Sequence, residues 1–176
     1  MNNNSGIRKK KNYRISSKQE KMMAWEKQKL SYAWKASIDY RQNPEKYQVG
    51  KGEQGVLLCE PYKSEILPFW RFKNPAVAQQ SAGKISVLFL DYLERGEFVG
   101  ADMARKFLQM GYTRSRRYAN HKGGRKYEAD TGQELPLNGQ DQDKVESAQI
   151  FYHAWRKAES DPLYQEMKQK WKQKYG

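Results

Sequence analysis

Thr113 to Tyr127 reads T-R-S-R-R-Y-A-N-H-K-G-G-R-K-Y. Arg114, Arg116, Arg117, Lys122, Arg125 and Lys126 fall within these fifteen residues, and no acid lies among them. Crowded cations repel one another, and an anionic partner relieves that repulsion. Phosphate is the commonest such anion. Tyr118, His121 and Tyr127 are interleaved with the charges. Tyrosine rings can stack on bases while the cations hold the backbone. The expected site is therefore a phosphate-contacting surface built from Arg114, Arg116, Arg117, Tyr118, His121, Lys122, Arg125, Lys126 and Tyr127. An internal competitor follows at once. The stretch 128–146 is acidic, and roughly half of the arginines are expected to pair with it.

Other groups could also carry chemistry. Gly50-Lys-Gly-Glu-Gln-Gly55 fits the G-x-G-x-x-G spacing. A dinucleotide loop must follow a strand and open a helix, whereas here an apolar V-L-L follows, so a tight loop without nucleotide is expected. Ala101 to Asn120 suggests two short helices meeting at Gly111, with arginines on the second. Phe107 stands where a DNA-reading helix-turn-helix needs a small residue, so a helical hairpin of another kind is expected. Glu53, Glu60, Glu65, Asp91 and Asp102 could serve a metal-dependent nuclease together with His121, but no spacing singles out a pair. The only other histidine is His153, and no metal site is expected. No cofactor is expected either. Cys59 is the single cysteine, lies beside Glu60 without an activating base, and reads as a buried structural thiol.

The formal net charge is +13. Residues 1–18 hold six bases and no acid, and residues 98–127 hold eight bases against one acid. Nearly all the excess thus sits in an N-terminal arm and in the segment containing the cluster, as an electrostatic binding footprint would have it. Five Trp and twelve Tyr argue for a packed domain rather than a disordered chain. No apolar run approaches a membrane span, no secretory h-region follows the first basic residues, and the lone cysteine suits a reducing compartment. A cytoplasmic location is the expectation.

These groups must be held by elements that the pattern also predicts. Residues 1–16 read as a disordered basic arm and 17–176 as a single globular domain. A helix is predicted from Ser17 to about Tyr40, apolar on two faces and ended by Asn43-Pro44. Val56–Cys59 reads as a short strand. Pro61–Phe72, with Tyr62, Phe69, Trp70 and Phe72, reads as a capping loop or short helix that brings Arg71 and Lys73 to the rim of the basic surface. Asn74-Pro75 begins a helix with Val77, Ser81, Ile85, Leu88, Phe89 and Tyr92 on one face, stopping at Gly96. That helix is the expected centre of the core. Short helices over Asp102–Met110 and Thr113–Ala119 come next, then a small β-hairpin within Gly123–Leu137, a helix over Gln140–Glu159, and a last helix from Asp161-Pro162. The fold class is mainly α: one compact helical domain with a minor β-hairpin or short strands.

Two long strings carry a resemblance. V-G-K-G-E-Q-G-V-L-L-C-E-P-Y-K-S-E-I-L-P-F-W-R-F-K at residues 49–73, and F-V-G-A-D-M-A-R-K-F-L-Q-M-G-Y-T-R-S-R-R-Y-A-N-H-K-G-G-R-K-Y at 98–127, resemble the DUF4385 family. This is an uncharacterised domain of bacteria and their phages. The resemblance spans about residues 30–170 and leaves the basic arm outside. It implies a compact cytoplasmic domain in which the two strings form one unit, and it carries no activity, ligand or catalytic residue.

Three functions follow from these readings. The first is a non-enzymatic module that binds DNA or RNA through phosphates. The second is an enzyme acting on a phosphorylated or nucleic-acid substrate. The third is an interaction protein that docks an acidic partner, including the 128–146 region of a second copy.

Overall fold

A computed structural model describes residues 16–137 and 141–176. The expected arm lies outside them except for Ser16. The described chain divides into two units between Tyr32 and Ala33.

The first unit contains α1 (Ser17–Ser31). Ser16 and Gln19 form a capping box. The Gln19 amide donates to Ser16 Oγ (3.3 Å), and the Ser16 amide donates to Gln19 Oε1 (3.0 Å). Met22, Met23 and Trp25 are exposed on this helix. The helix ends nine residues before the expected Tyr40. Trp34 and Tyr40 belong to the second unit, where non-helical backbone lets both rings bury. Trp34 Nε1 donates to the Gln48 carbonyl (2.9 Å), Tyr40 Oη accepts from the Lys35 amide (2.9 Å), and the Tyr40 amide donates to the Glu60 carbonyl (2.8 Å). Burial of large aromatic surface outweighs local helix preference here.

The second unit is a helical assembly: α2 (Tyr62–Ile66), α3 (Pro75–Glu94), α4 (Phe98–Asn120), α5 (Gln142–Glu159) and α6 (Pro162–Tyr175). The Asn74 side chain accepts from the Val77 amide at 2.9 Å and Pro75 occupies the first helical position, so α3 begins where its sequence says. Gly96, at φ +71°, ends it. The Glu97 amide reaches the Tyr92 carbonyl and the Gly96 amide the Leu93 carbonyl, a Schellman pair that a left-handed glycine permits.

The centre of the core is α4, not α3. Every residue from Phe98 to Leu108 is buried, and α4 touches α2, α3, α5 and α6. The two short helices expected around Gly111 are one continuous helix. Gly111 is a contact residue: a Cβ there would stand 2.3 Å from Cδ1 of Phe151 on α5, inside the ring's own volume. Glycine lets the two helices approach, and the helix hydrogen bonds run through it.

Val56–Cys59 forms consecutive turns rather than a strand. Arg41 ties the start of this irregular segment to the helices. Its Nη1 and Nη2 donate to both Glu65 oxygens (2.7 and 2.9 Å), and Nη2 also reaches Glu97 (3.3 Å). The expected hairpin is present in small form. Tyr127 and Glu134 form an antiparallel bridge, with amide-to-carbonyl bonds from Leu135 to Lys126 (2.8 Å) and from Glu128 to Gln133 (2.9 Å).

Candidate functional site

The central helix carries two charged regions that differ in burial. In its N-terminal half, Asp102 sits among apolar residues with bases at i+3 and i+4, Arg105 and Lys106. On a helix that spacing puts all three on one side. All three are buried. Arg105 donates to Asp102 Oδ1 through both Nε and Nη2 (3.0 Å each). Tyr164 Oη donates to the same oxygen (2.6 Å), and Tyr47 Oη donates to Oδ2. Lys106 Nζ lies 3.6 Å from Oδ2 and donates to the Gln54 carbonyl (2.6 Å) and to Tyr47 Oη (3.0 Å). One carboxylate is thus shared by two cations and two phenols.

The electrostatics follow from that sharing. Burial by itself would raise the Asp102 pKa, but the charges of Arg105 and Lys106 and the two phenol donors outweigh it and hold the carboxyl down at about 2. Burial and the adjacent Asp102 charge push Tyr47 and Tyr164 above the usual phenol range. Burial lowers Lys106 in spite of the pull of Asp102. A buried pair of this kind contributes little net stability against an apolar alternative, but it fixes geometry, because removing one partner strands a charge. Here it locks the loop around Gln54 and the N-terminal end of α6 onto α4. Cys59 is buried close by, and desolvation pushes its thiol up to about 12. It is a structural thiol.

The C-terminal third of α4 and the loop after it are different. Arg116, Arg117, Lys122 and Arg125 are exposed, and Arg114 and Lys126 are half-buried. Among the described residues, none of these six cations has a carboxylate within 4.0 Å. The pairing expected with 128–146 does not form. Glu128 accepts instead from Thr131 Oγ1 (2.7 Å), and Asp141 caps α5 by accepting from the Lys144 amide. These two acids serve their own turn and helix start.

The aromatic members of the expected surface separate. Tyr127 is 52% exposed, with Lys126 Nζ 5.4 Å from its ring centre. Tyr118 is 38% exposed. Its ring packs edge-on against Phe72 at 5.6 Å, and Lys144 Nζ lies 5.6 Å from its centre. This contact brings the Trp70–Lys73 segment beside the basic end of α4. Tyr112 is half-buried between Tyr152 and Trp155. His121 is a correction to the expected surface. It is 5% exposed and closes the end of α4, and its Nδ1 is enclosed with no hydrogen-bond partner among the described residues. It stands beneath the basic surface.

The carboxylates considered for metal-dependent hydrolysis do not converge. Asp102 is consumed by the buried pair, Glu65 by Arg41 and Tyr92, Glu60 by Ser64 and Lys63, and Glu53 by Thr113 Oγ1 (2.6 Å). Among the described residues no group of three or more His, Cys, Asp or Glu could hold a metal ion. No described helix is long and apolar enough to cross a membrane. The Asp102–Arg105–Lys106 cluster is not among the sites the sequence pattern predicts. The signal was present in an acid with bases three and four residues on, inside an otherwise apolar helical run.

The molecule is thus a mainly α domain whose central helix is buried and ion-paired at one end, exposed and basic at the other. The chain belongs to the DUF4385 family, a domain of unknown function, whose family model matches residues 29–174. No curated protein and no solved structure matches the chain.

Proposed function

We propose that this protein is a nucleic-acid-binding module that holds the phosphate backbone with the exposed C-terminal end of α4 and the loop after it. Arg114, Arg116, Arg117, Lys122, Arg125 and Lys126 contact phosphates, and Tyr127 supplies a ring for stacking. The observation that carries the reading is that six cations lie within thirteen residues and none is ion-paired among the described residues, although an acidic stretch follows them directly. An unpaired set of this density gains most from a polyanion, because each contacted phosphate releases a condensed counterion. The arginines stand on a helix rooted in the core, so little order has to be gained when they bind. Such a module would act on DNA or RNA in a bacterial or phage-infected cytoplasm, where its lone thiol stays reduced.

The test is the salt dependence of binding, followed by anisotropy of a labelled oligonucleotide. Arg114→Ala/Arg116→Ala/Arg117→Ala removes up to three phosphate contacts. At about 0.7 per contact for single strands and 0.9 for duplex, the slope of log K against log salt becomes shallower by about 2–3. Circular dichroism should show an unchanged helical fold. An unchanged slope in a folded triple variant refutes the proposal.

A further inference from the structure

A concave site, separate from the basic end of α4, lies beside the buried ion pair. The loop at Gly50–Gly52, α4, α5 and α6 line an open cavity of about 390 Å³. Its wall carries four cations, Lys51, Arg105, Lys168 and Lys172, against one carboxylate, Glu159. That carboxylate is already engaged, since Arg156 Nη1 lies 2.7 Å from its Oε2. Among the described residues, Lys51, Lys168 and Lys172 have no ion-pair partner.

Arg105 gives the site a fixed floor. Its side chain is 3% exposed, and it is clamped by Asp102, by Gln109 Oε1 (2.8 Å from Nη1) and by the Gly52 carbonyl (3.2 Å from Nη2). Asp102 cannot neutralise both of its cations, so the buried trio leaves a net positive charge behind the wall. Lys168 registers the crowding. Burial first, and then the charge of Arg105, pull its pKa below the usual lysine range, and Lys172 adds to the effect. Four cations converging from three segments on one concavity repel unless an anion is shared among them.

The glycines of the loop serve packing and backbone geometry. A Cβ on Gly50 or Gly55 would lie 2.6 Å from the Trp34 ring, so packing on Trp34 accounts for both. Gly52, at φ +56°, is left-handed backbone that favours glycine by itself, so the spacing has a structural cause, and the ligand signal lies in the lysines.

We propose that this cavity is a binding site for a phosphate monoester dianion, held by Lys51, Lys168 and Lys172 over Arg105. A compact dianion can be shared by several ammonium groups, which a single carboxylate cannot match in charge. The volume falls within the range of small-ligand pockets and exceeds that of one phosphate, leaving room for the group that bears it. That group comes from one of two sources: a free phosphorylated small molecule, or the terminal phosphate of a nucleic-acid strand. The second has a geometric basis. Arg105, Gln109, Tyr112 and Arg116 follow one another at i, i+4, i+7 and i+11, so one stripe of α4 runs from the cavity to the basic end of the helix.

The experiment is calorimetric titration of the full chain with inorganic phosphate and with pyrophosphate at low ionic strength, with chloride as control. Phosphate should bind saturably at or below about 1 mM, pyrophosphate more tightly, and both should raise the melting temperature. Lys168→Ala/Lys172→Ala should weaken both by at least about tenfold while keeping the melting temperature of the free protein, since neither lysine is ion-paired. Arg114→Ala/Arg116→Ala/Arg117→Ala should bind phosphate as the wild type does, so this proposal and the nucleic-acid proposal fail separately. Oligonucleotides with and without a 5′ phosphate identify the source. Tighter binding of the phosphorylated strand, lost in the double lysine variant, assigns the strand terminus; equal binding of the two strands alongside saturable phosphate binding assigns the free small molecule. Absence of saturable phosphate binding, or the same affinity in the folded double variant, overturns the site.

Discussion

Replacing Gly111 by alanine separates two roles that a mid-helix glycine can have. Were Gly111 a point where the helix breaks, alanine would strain a left-handed residue. Were it an idle helical position, alanine would stabilise the protein by about 1 kcal/mol through helix propensity. The structure assigns neither role. The added methyl would stand 2.3, 2.5 and 2.6 Å from Cδ1, Cγ and Cε1 of Phe151, where carbon atoms rest at about 3.5–4.0 Å. The ring or the helix must therefore move by on the order of 1 Å in a packed interior. With contacts this short the cost lies at the upper end of overpacking, about 2–3 kcal/mol, and against a propensity gain of about 1 kcal/mol Gly111→Ala should be net destabilising by about 1–2 kcal/mol. Urea titration by circular dichroism measures this directly. The sign should reverse once the ring is gone. In a Phe151→Ala background, itself about 3–5 kcal/mol less stable, Gly111→Ala should be neutral or stabilising by up to about 1 kcal/mol. A stabilised single variant, or one that stays equally destabilised without the ring, refutes the assignment of Gly111 to the α4–α5 contact.

Other outcomes follow from the buried charges. Asp102→Asn leaves Arg105 and Lys106 buried without a counter-charge and should cost about 3–5 kcal/mol at neutral pH, measured by urea unfolding. The Asp102 pKa is held down at about 2 from its ordinary 3.8. Its contribution is therefore full above pH 3.8 and lost as the pH falls toward 2. The stability gap between wild type and Asp102→Asn should shrink by about 2 kcal/mol between pH 5 and pH 2, and a gap that widens would contradict the ion pair. Cys59, buried and with its thiol pushed up to about 12, should resist iodoacetamide at pH 8 in the native protein and react at the rate of unfolding. Asn74→Ala should cost about 1 kcal/mol through the lost cap on α3, seen as a lower urea midpoint with unchanged m.

What the sequence by itself determined is what closes within a few residues. Asn74-Pro75 starts α3, Gly96 ends it, and Asp161-Pro162 starts α6, where the Asp161 side chain accepts from the Leu163 and Tyr164 amides. The hairpin around residues 126–135 is local in the same way. In each case the partners of the orphan backbone groups lie at fixed short offsets, so residue type is enough. The concentration of charge in 98–127 was legible for the same reason.

Tertiary structure decided the rest, because the deciding partner is distant in the chain. Nothing near Gly111 tells a helix stop from a helix contact; Phe151, forty residues on, does. Lys106 looks like a surface base until Tyr47 and Gln54 surround it. His121 reads as part of the basic surface until the fold encloses it. The arginines at 114–117 have no ion-pair partner among the described residues, while Glu128 and Asp141 after them engage a hairpin turn and a helix cap. The cavity over Arg105 draws its cations from residues 51, 105, 168 and 172, a convergence that only packing of the loop against three helices creates. Charge can be counted along a chain, but which charges meet depends on which elements touch.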